Sequence, residues 1–297
     1  MPKLTPAQRR LRNALERGVC YKSLDFDYLC SRAPHRAGVI IEGDSWVDYP
    51  RKYIITGPSI NLGHRFEQTT EYLDTVNVLR IGSNGDTAVG MTTGKQFALM
   101  RKILKKNGKH IRLMLFSAGG NDIVGESDLD PLIKEYDPSL HHGWEDVIEK
   151  DLFDKKLDAI LDAYLRMIEL YKSLAPAASI VTHTYDCVNP SPQGAAFFWN
   201  LIKTKSWVWP TMQKRNIPIE WRAPIIQYML SLFSLRIQAL QNHPSAVGRF
   251  YVVDTQGTLD PTSKADWLNE IHATPAGYRK IFNKMYPTLK QLLPELP

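Results

Sequence analysis

Five short apolar runs are spaced along the chain, and each is typical of a buried strand. Their near-continuous apolar character suits parallel strands that are covered on both faces. Helical apolar spacing fills segments between and after them, at 93–106, 144–174, 220–241 and 274–293. This alternation predicts a doubly wound α/β fold with a five-stranded, mostly parallel sheet. The runs are 38–41 (GVII), 75–81 (TVNVLRI), 111–116 (IRLMLF), 178–182 (ASIVT) and 250–253 (FYVV).

The composition is that of an ordinary globular protein. The chain has 297 residues, of which 43% are hydrophobic and 23% charged, so we expect a single domain spanning 1–297 with a substantial core. Its three cysteines are widely spaced and form no C-x-x-C, which argues against a disulfide framework and a thiolate zinc site. No secretory signal or membrane-spanning stretch is visible, so we expect a cytoplasmic location, with export by another route left open.

The net charge of +6 favours anionic partners only mildly. Basic residues form two sets, each on or beside a predicted helix, and a solvated helix face is the favoured interpretation over nucleic-acid binding. We therefore expect no nucleic-acid partner, and no obligate protein partner is evident. The sets are Arg9, Arg10, Arg12 and Arg17, and then Arg101, Lys102, Lys105, Lys106, Lys109 and Arg112.

The first predicted strand runs directly into the sequence EGDSW at 42–46. A glycine turn there would leave the hydroxyl of Ser45 at the carboxyl end of the strand, where ligands of such sheets bind. That is a suitable place for a nucleophile. The nucleophile elbow of the α/β-hydrolases requires glycine two positions after the serine, and Val47 stands there instead.

Two further loops follow the second and third predicted strands. Residues 82–87 (GSNGDT) could point backbone N–H groups at an anion, although on its own this loop is better explained as a strand-to-helix turn capped by Asp86 or Thr87. Residues 117–122 (SAGGND) carry Asn121, whose neutral amide donor suits the negative charge that develops on a carbonyl oxygen. Simple turn chemistry is the alternative for this loop as well.

A histidine precedes the last predicted helix, in DWLNEIHATP at 266–275. His272 is a candidate general base. Three side chains within six residues of it could orient its ring, namely Asp266, Asn269 and Glu270.

In this order and at these strand ends, the four loops resemble those of the SGNH hydrolases, the GDSL lipase and esterase superfamily. The resemblance runs from about residue 39 to 278 and rests on Ser45, Gly85, Asn121 and His272. It implies a flavodoxin-like three-layer α/β/α fold and a serine ester hydrolase that needs no metal or cofactor. Ser45 would attack the ester with His272 as base, and an acyl-enzyme would follow. The oxyanion hole would consist of the backbone N–H groups of Ser45 and Gly85 and the Asn121 side chain.

One position departs from the family pattern. The family usually has aspartate three residues before the histidine, and this chain has Asn269. Three arrangements stay open: Asn269 orients His272, Asp266 reaches the imidazole from the preceding turn, or a Ser-His dyad operates. Asn269 is slightly preferred to Asp266, and Glu270 is expected to point away from the histidine.

Two segments, 121–177 and 184–249, are longer than a strand-to-helix connection requires and are expected to form a cap over the site. The second is rich in aromatic residues, which indicates either an acyl-binding cap able to contact a membrane surface or a second small core beneath a long loop. These aromatics are Phe197, Phe198, Trp199, Trp207, Trp209 and Trp221, interrupted by Lys203, Lys205, Lys214 and Arg215.

The substrate predicted from this cap is a lipid or other small-molecule acyl ester, with an O-acetylated carbohydrate as the alternative. A non-catalytic binding protein on the same fold is a further hypothesis, because the third member of the triad is altered. A binuclear metallophosphatase is disfavoured, since the chain has neither D-x-H nor G-H-x-H to supply ligands.

Overall fold

The computed structural model describes residues 4–48, 61–192, 196–197, 202–203 and 206–297, with the backbone alone for 196–197 and 202–203. The strands are β1 Val19–Cys20, β2 Ala37–Gly43, β3 Val76–Arg80, β4 Ile111–Ser117, β5 Ser179–His183, β6 Ala196–Phe197, β7 Ile202–Lys203 and β8 Phe250–Val253. The helices are α1 Pro6–Arg17, α2 Ser23–Arg32, α3 Ser45–Asp48, α4 Leu62–Thr70, α5 Ala88–Met91, α6 Gly94–Asn107, α7 Gly120–Val124, α8 Glu126–Leu129, α9 Lys150–Leu174, α10 Val208–Lys214, α11 Ile219–Ala239 and α12 Pro275–Leu292.

In the described part of the chain, six strands form one parallel sheet in the order β1-β3-β2-β4-β5-β8. All five predicted strands are present in this sheet, which has one strand more than predicted. The additional strand, β1, has two residues and lies at the edge beside β3, with Val19 opposite Val78. A strand of two residues leaves no apolar run that could reveal it. Without β1 the order is that of a flavodoxin-like sheet.

The sheet is covered on both faces, as the apolar runs predict. Every residue of β2 and of β3 is buried. The crossovers place α6, α9 and α11 on one face and α4 on the other, because right-handed connections in opposite directions lie on opposite faces. The last helix, α12, packs against α4.

The four predicted helices correspond to α6, α9, α11 and α12. Thr274 caps α12, since its side chain accepts the backbone N–H of Gly277 and Pro275 occupies the first turn. The predicted helix at 144–174 begins late, because Trp144–Val147 form a 3₁₀ turn before α9. From Lys150 onward, α9 forms the crossover between β4 and β5.

The basic residues of α1 are largely paired with carboxylates of the chain itself. Arg12 forms an ion pair with Glu16 at 2.8 Å, and Arg10 forms one with Asp25, also at 2.8 Å. This pairing fits a solvated helix face. No helix within the described residues is both long and apolar enough to cross a bilayer.

Candidate active site

Ser45 lies at the start of α3, two residues beyond the end of β2, and is buried. Position 43 requires glycine because the backbone there passes very close to β4. A Cβ at Gly43 would lie 2.4 Å from the carbonyl oxygen of Ser117. Beyond it, the N–H of Asp44 donates to the same Ser117 oxygen at 2.9 Å. The N–H of Ser83 donates to the carbonyl of Gly43 at 2.9 Å. The ends of β2 and β4 and the loop after β3 are thereby tied together.

The carboxylate of Asp44 anchors the turn that carries Ser45. Its Oδ1 accepts the backbone N–H of Trp46 at 3.0 Å and the hydroxyl of Ser117 at 3.1 Å, while its Oδ2 accepts the hydroxyl of Tyr185. Burial raises the pKa of Asp44 to about 7, and the three hydrogen bonds act against that rise because they stabilise the ionised form.

A buried histidine extends this polar chain. The Nδ1 of His183 accepts the N–H of Tyr185 at 3.2 Å, so the proton of the neutral ring is on Nε2, which lies 2.8 Å from the hydroxyl oxygen of Ser117. Ser117 accepts from His183 and donates to Asp44. Burial lowers the pKa of His183 to about 3, so the ring is neutral at pH 7. The sequence did not identify His183 as a site residue. The one feature that could have indicated it is its position directly after the predicted strand at 178–182.

Trp46 connects the serine turn to the histidine loop. Its indole N–H donates to the carbonyl oxygen of Ile271 at 3.2 Å, and Ile271 immediately precedes His272. The indole stacks on His183, with ring centroids 5.2 Å apart, and contacts Tyr278 edge-on at 5.6 Å. Two loops 225 residues apart in sequence therefore share one direct hydrogen bond.

His272 is buried, and the side chain of Asn269 lies against its ring. The amide nitrogen and oxygen of Asn269 are 3.1 and 3.2 Å from the Nδ1 of His272. The same amide oxygen accepts the backbone N–H groups of Ile271 at 3.0 Å and His272 at 2.7 Å. Burial lowers the pKa of His272 to about 3. Asn269 therefore fixes both the loop and the ring.

The other two candidate partners are directed elsewhere. The carboxylate of Asp266 pairs with Lys280 of α12 at 2.7 Å and accepts the N–H of Asp260 at 3.1 Å. The carboxylate of Glu270 accepts backbone N–H groups at the start of α10, including that of Val208 at 2.6 Å. Burial raises the pKa of Glu270, and these bonds oppose the rise. Of the three candidates, the described contacts bring only Asn269 to the imidazole.

The loop after β3 is fastened to α7 by two hydrogen bonds. The amide of Asn121 donates to the carbonyl of Asp86 at 2.9 Å, and the carboxylate of Asp122 accepts the N–H of Ala88 at 2.7 Å. An amide nitrogen carries two N–H bonds, and Asp86 takes one of them. Gly85, with a φ of 86°, is exposed and immediately precedes Asp86.

Ser45 and Asn121 line one narrow cleft. It is narrow, with about 20 Å³ of space for the centre of a water-sized sphere. Ile271 also lines the cleft, so His272 directly follows a lining residue. Gly85 lies in the neighbouring loop after β3. The remaining walls are formed by Asp44, Trp46, Gly120, Val124, Tyr185, Asp186, Val188 and Leu230.

Part of the predicted aromatic cap falls outside the described residues. This applies to Phe198, Trp199 and Lys205, and only the backbone is described for Phe197 and Lys203. Of the rest, Trp207 contacts the ring of His272, with centroids 6.2 Å apart and planes at 88°. Trp209 lies under the guanidinium of Arg222 at 4.1 Å, and Trp221 contacts Tyr136 at 5.1 Å. The cap stays a prediction.

Comparison with known proteins agrees with this architecture. No family model matches the chain, and no curated protein matches its sequence. Among solved structures, the lipase Lip_vut3 from a goat rumen metagenome is similar, with a TM-score of 0.53, 14% identity and coverage of 84% of this chain and 96% of that one. An extracellular lipase from Streptomyces rimosus has a TM-score of 0.50, 13% identity and coverage of 86% and 99%. The chain therefore shares the α/β fold of these two lipases, in which a parallel sheet is covered by helices on both faces. In this fold, the loops that carry Ser45, Gly85 and Asn121 each follow a strand, and the loop that carries His272 precedes the last helix, as their order in the sequence indicates.

The buried neutral state of His183 predicts how stability changes with pH. The unfolded chain protonates this histidine below about pH 6.5, whereas the folded chain does not. Relative to His183→Gln, the unaltered protein should therefore lose about 1.4 kcal/mol of unfolding free energy for each pH unit below pH 6.5. Urea unfolding of both proteins at pH 5, 6, 7 and 8 measures this. A difference between them that stays constant with pH would contradict the assignment.

Proposed function

We propose that the protein is a carboxylic ester hydrolase with Ser45 as nucleophile and His272 as general base. The observation that carries the proposal is the hydrogen bond from the Trp46 indole to the Ile271 carbonyl. It joins the residue after Ser45 to the residue before His272, at the edge of the cleft that Ser45 and Asn121 line. The SGNH fold supports an ester hydrolase, since the two similar structures above are both lipases.

In this proposal the chemistry follows the usual course of serine acyl transfer. The Ser45 oxygen attacks the ester carbonyl while Nε2 of His272 takes its proton. Nδ1–H donates to the amide oxygen of Asn269, which holds the tautomer that leaves Nε2 as the base. His272 then protonates the departing alkoxide, and water hydrolyses the acyl-enzyme with the same base.

The tetrahedral oxyanion needs donors that are in place before the reaction. We assign this role to the backbone N–H groups of Ser45 and Gly85 and to the second N–H of the Asn121 amide. The bond from Asn121 to Asp86 supports the assignment, because it holds the amide and the Gly85 loop in one arrangement.

The cleft favours a small acyl group. The cleft leaves only about 20 Å³ for the centre of a water-sized sphere, which suits a short acyl group better than a long chain, and Val124, Val188 and Leu230 give it an apolar wall. We therefore propose an acetyl or similarly short ester as substrate. The sequence favoured longer acyl groups because of its aromatic segment, and the cleft size favours the O-acetyl alternative instead.

Replacing either reacting residue should abolish turnover. We expect Ser45→Ala and His272→Ala each to lower kcat on p-nitrophenyl acetate by at least about 10⁴-fold, because each removes a member of a cooperating pair. Ser31→Ala is the matched control, since Ser31 is an exposed serine on α2. Thermal melting of all three variants separates loss of chemistry from loss of fold. Substantial turnover by Ser45→Ala would contradict the mechanism.

The amide at Asn269 should set the acid limb of the pH–rate profile. In Asn269→Asp a carboxylate would face the imidazole, favour its protonated form and raise the pKa of His272, by about 1 to 3 units for a partner this close. The lower limb of kcat/KM should then move to higher pH by a similar amount. Asp266→Asn should leave that limb in place. A limb that moves only in Asp266→Asn would assign the orienting role to Asp266.

The acyl preference is tested with p-nitrophenyl esters from acetyl to decanoyl. Because the cleft is so small, kcat/KM should be greatest for acetyl and should fall steeply beyond butyryl. A maximum at octanoyl or decanoyl would overturn the short-acyl proposal and leave the serine mechanism untouched.

A further inference from the structure

Glu270 makes an unusual set of long-range hydrogen bonds. Its carboxylate is buried and accepts the backbone N–H groups of three successive residues at the start of α10: Trp207, Val208 at 2.6 Å and Trp209 at 3.2 Å. It also accepts the N–H of Ser191 at 3.4 Å. The backbone N–H groups in the first turn of a helix need acceptors. Trp207 stands at the N-cap of α10 and cannot supply one, because its indole can only donate. A residue some sixty positions away in the chain therefore supplies the cap.

These bonds determine where Trp207 lies. Val208 is fully buried in the core, and Trp209 lies against Arg222. These side-chain contacts and the Glu270 carboxylate together hold the first turn of α10. Trp207 itself is partly exposed and packs nearly perpendicular to the ring of His272. The same loop thus provides His272 and, two residues earlier, the group that brings an indole beside it.

The position of Trp207 indicates which part of an ester it would meet. In the proposed reaction His272 gives its proton to the departing alkoxide, so the alcohol portion must lie beside the imidazole. In the same reaction the acyl portion would enter the narrow cleft that Ser45 and Leu230 help to line. An indole next to His272 therefore faces the alcohol side of the site.

We propose that Glu270 is a positioning residue that holds Trp207 as the wall of the alcohol side, and that this wall selects esters whose alcohol is a ring-shaped group. The proposal rests on the ester-hydrolase function above. Aromatic faces gain contact area from flat or ring-shaped groups and little from a short alkyl group. Glutamine is a sharp substitute for Glu270, because its NH₂ would face N–H donors where the carboxylate presents an acceptor.

The first test does not depend on activity. Amide hydrogen exchange of the full chain, followed by mass spectrometry, should show exchange at 207–209 at least about tenfold faster in Glu270→Gln, since local opening governs exchange. Asp146→Asn is the matched control, because Asp146 also accepts two backbone N–H groups, those of His142 and Gly143, in an exposed turn before α9. It should leave exchange at 207–209 unchanged. Unchanged exchange at 207–209 in Glu270→Gln would overturn the proposal.

The second test compares phenyl acetate with ethyl acetate, which share the acyl group, in a pH-stat. In Trp207→Ala and in Glu270→Gln, KM for phenyl acetate should rise about tenfold with kcat little changed, whereas ethyl acetate kinetics should stay within about twofold. The double variant should be no worse than Trp207→Ala, because Glu270 acts through Trp207. Additive effects, or equal losses on both acetates, would contradict the assignment.

The two tests also separate this proposal from the function on which it rests. If the unaltered protein hydrolyses neither acetate, the ester-hydrolase function is wrong, and the selectivity assignment is wrong with it. If it hydrolyses both and Trp207→Ala does not distinguish them, only the wall is wrong. Should Glu270→Gln fail to fold, Trp207→Ala still decides, because it changes a partly exposed side chain.

Discussion

The arrangement of the site depends on one buried carboxylate, that of Asp44. It accepts hydrogen bonds from the backbone of α3, from Ser117 at the end of β4 and from Tyr185 after β5. Burying a carboxylate without partners would cost several kcal/mol, and these three donors offset much of that cost. Because Asp44 immediately precedes Ser45, the backbone of Ser45 is held relative to three strand ends at once. His183 completes the arrangement by donating to the hydroxyl oxygen of Ser117.

From this anchor the site is connected in series. Trp46 links the serine turn to the histidine loop, because its indole donates to the carbonyl of Ile271. Asn269 then links this loop to His272, and Glu270 links it to the first turn of α10. Trp46 and Glu270 bind backbone groups, and Asn269 binds both the backbone N–H and the ring of His272. A displacement at any step would therefore reach the steps beyond it.

The sequence predicted the parts of this assembly that follow from local pattern. Apolar runs located five strands and four long helices, and adjacent parallel strands share a carboxyl edge, so Ser45 and Asn121 could be expected in one place. The connections were not predictable, since the indole of Trp46 and the carboxylate of Glu270 bind partners that no periodicity relates to them. His183 gave the weakest signal, a polar residue after a strand, and the strand β1 gave none.

Asn269 and Glu270, which lie three and two positions before His272, explain each other. Glu270 already places one carboxylate in this buried loop, and its pKa is raised by burial. A second carboxylate at position 269 would add like-charge repulsion and a second desolvation cost. The amide of Asn269 accepts the same backbone N–H groups and contacts the imidazole without adding charge. The imidazolium then forms without a carboxylate against its own ring, so stabilisation of the transition state must come mainly from the oxyanion donors.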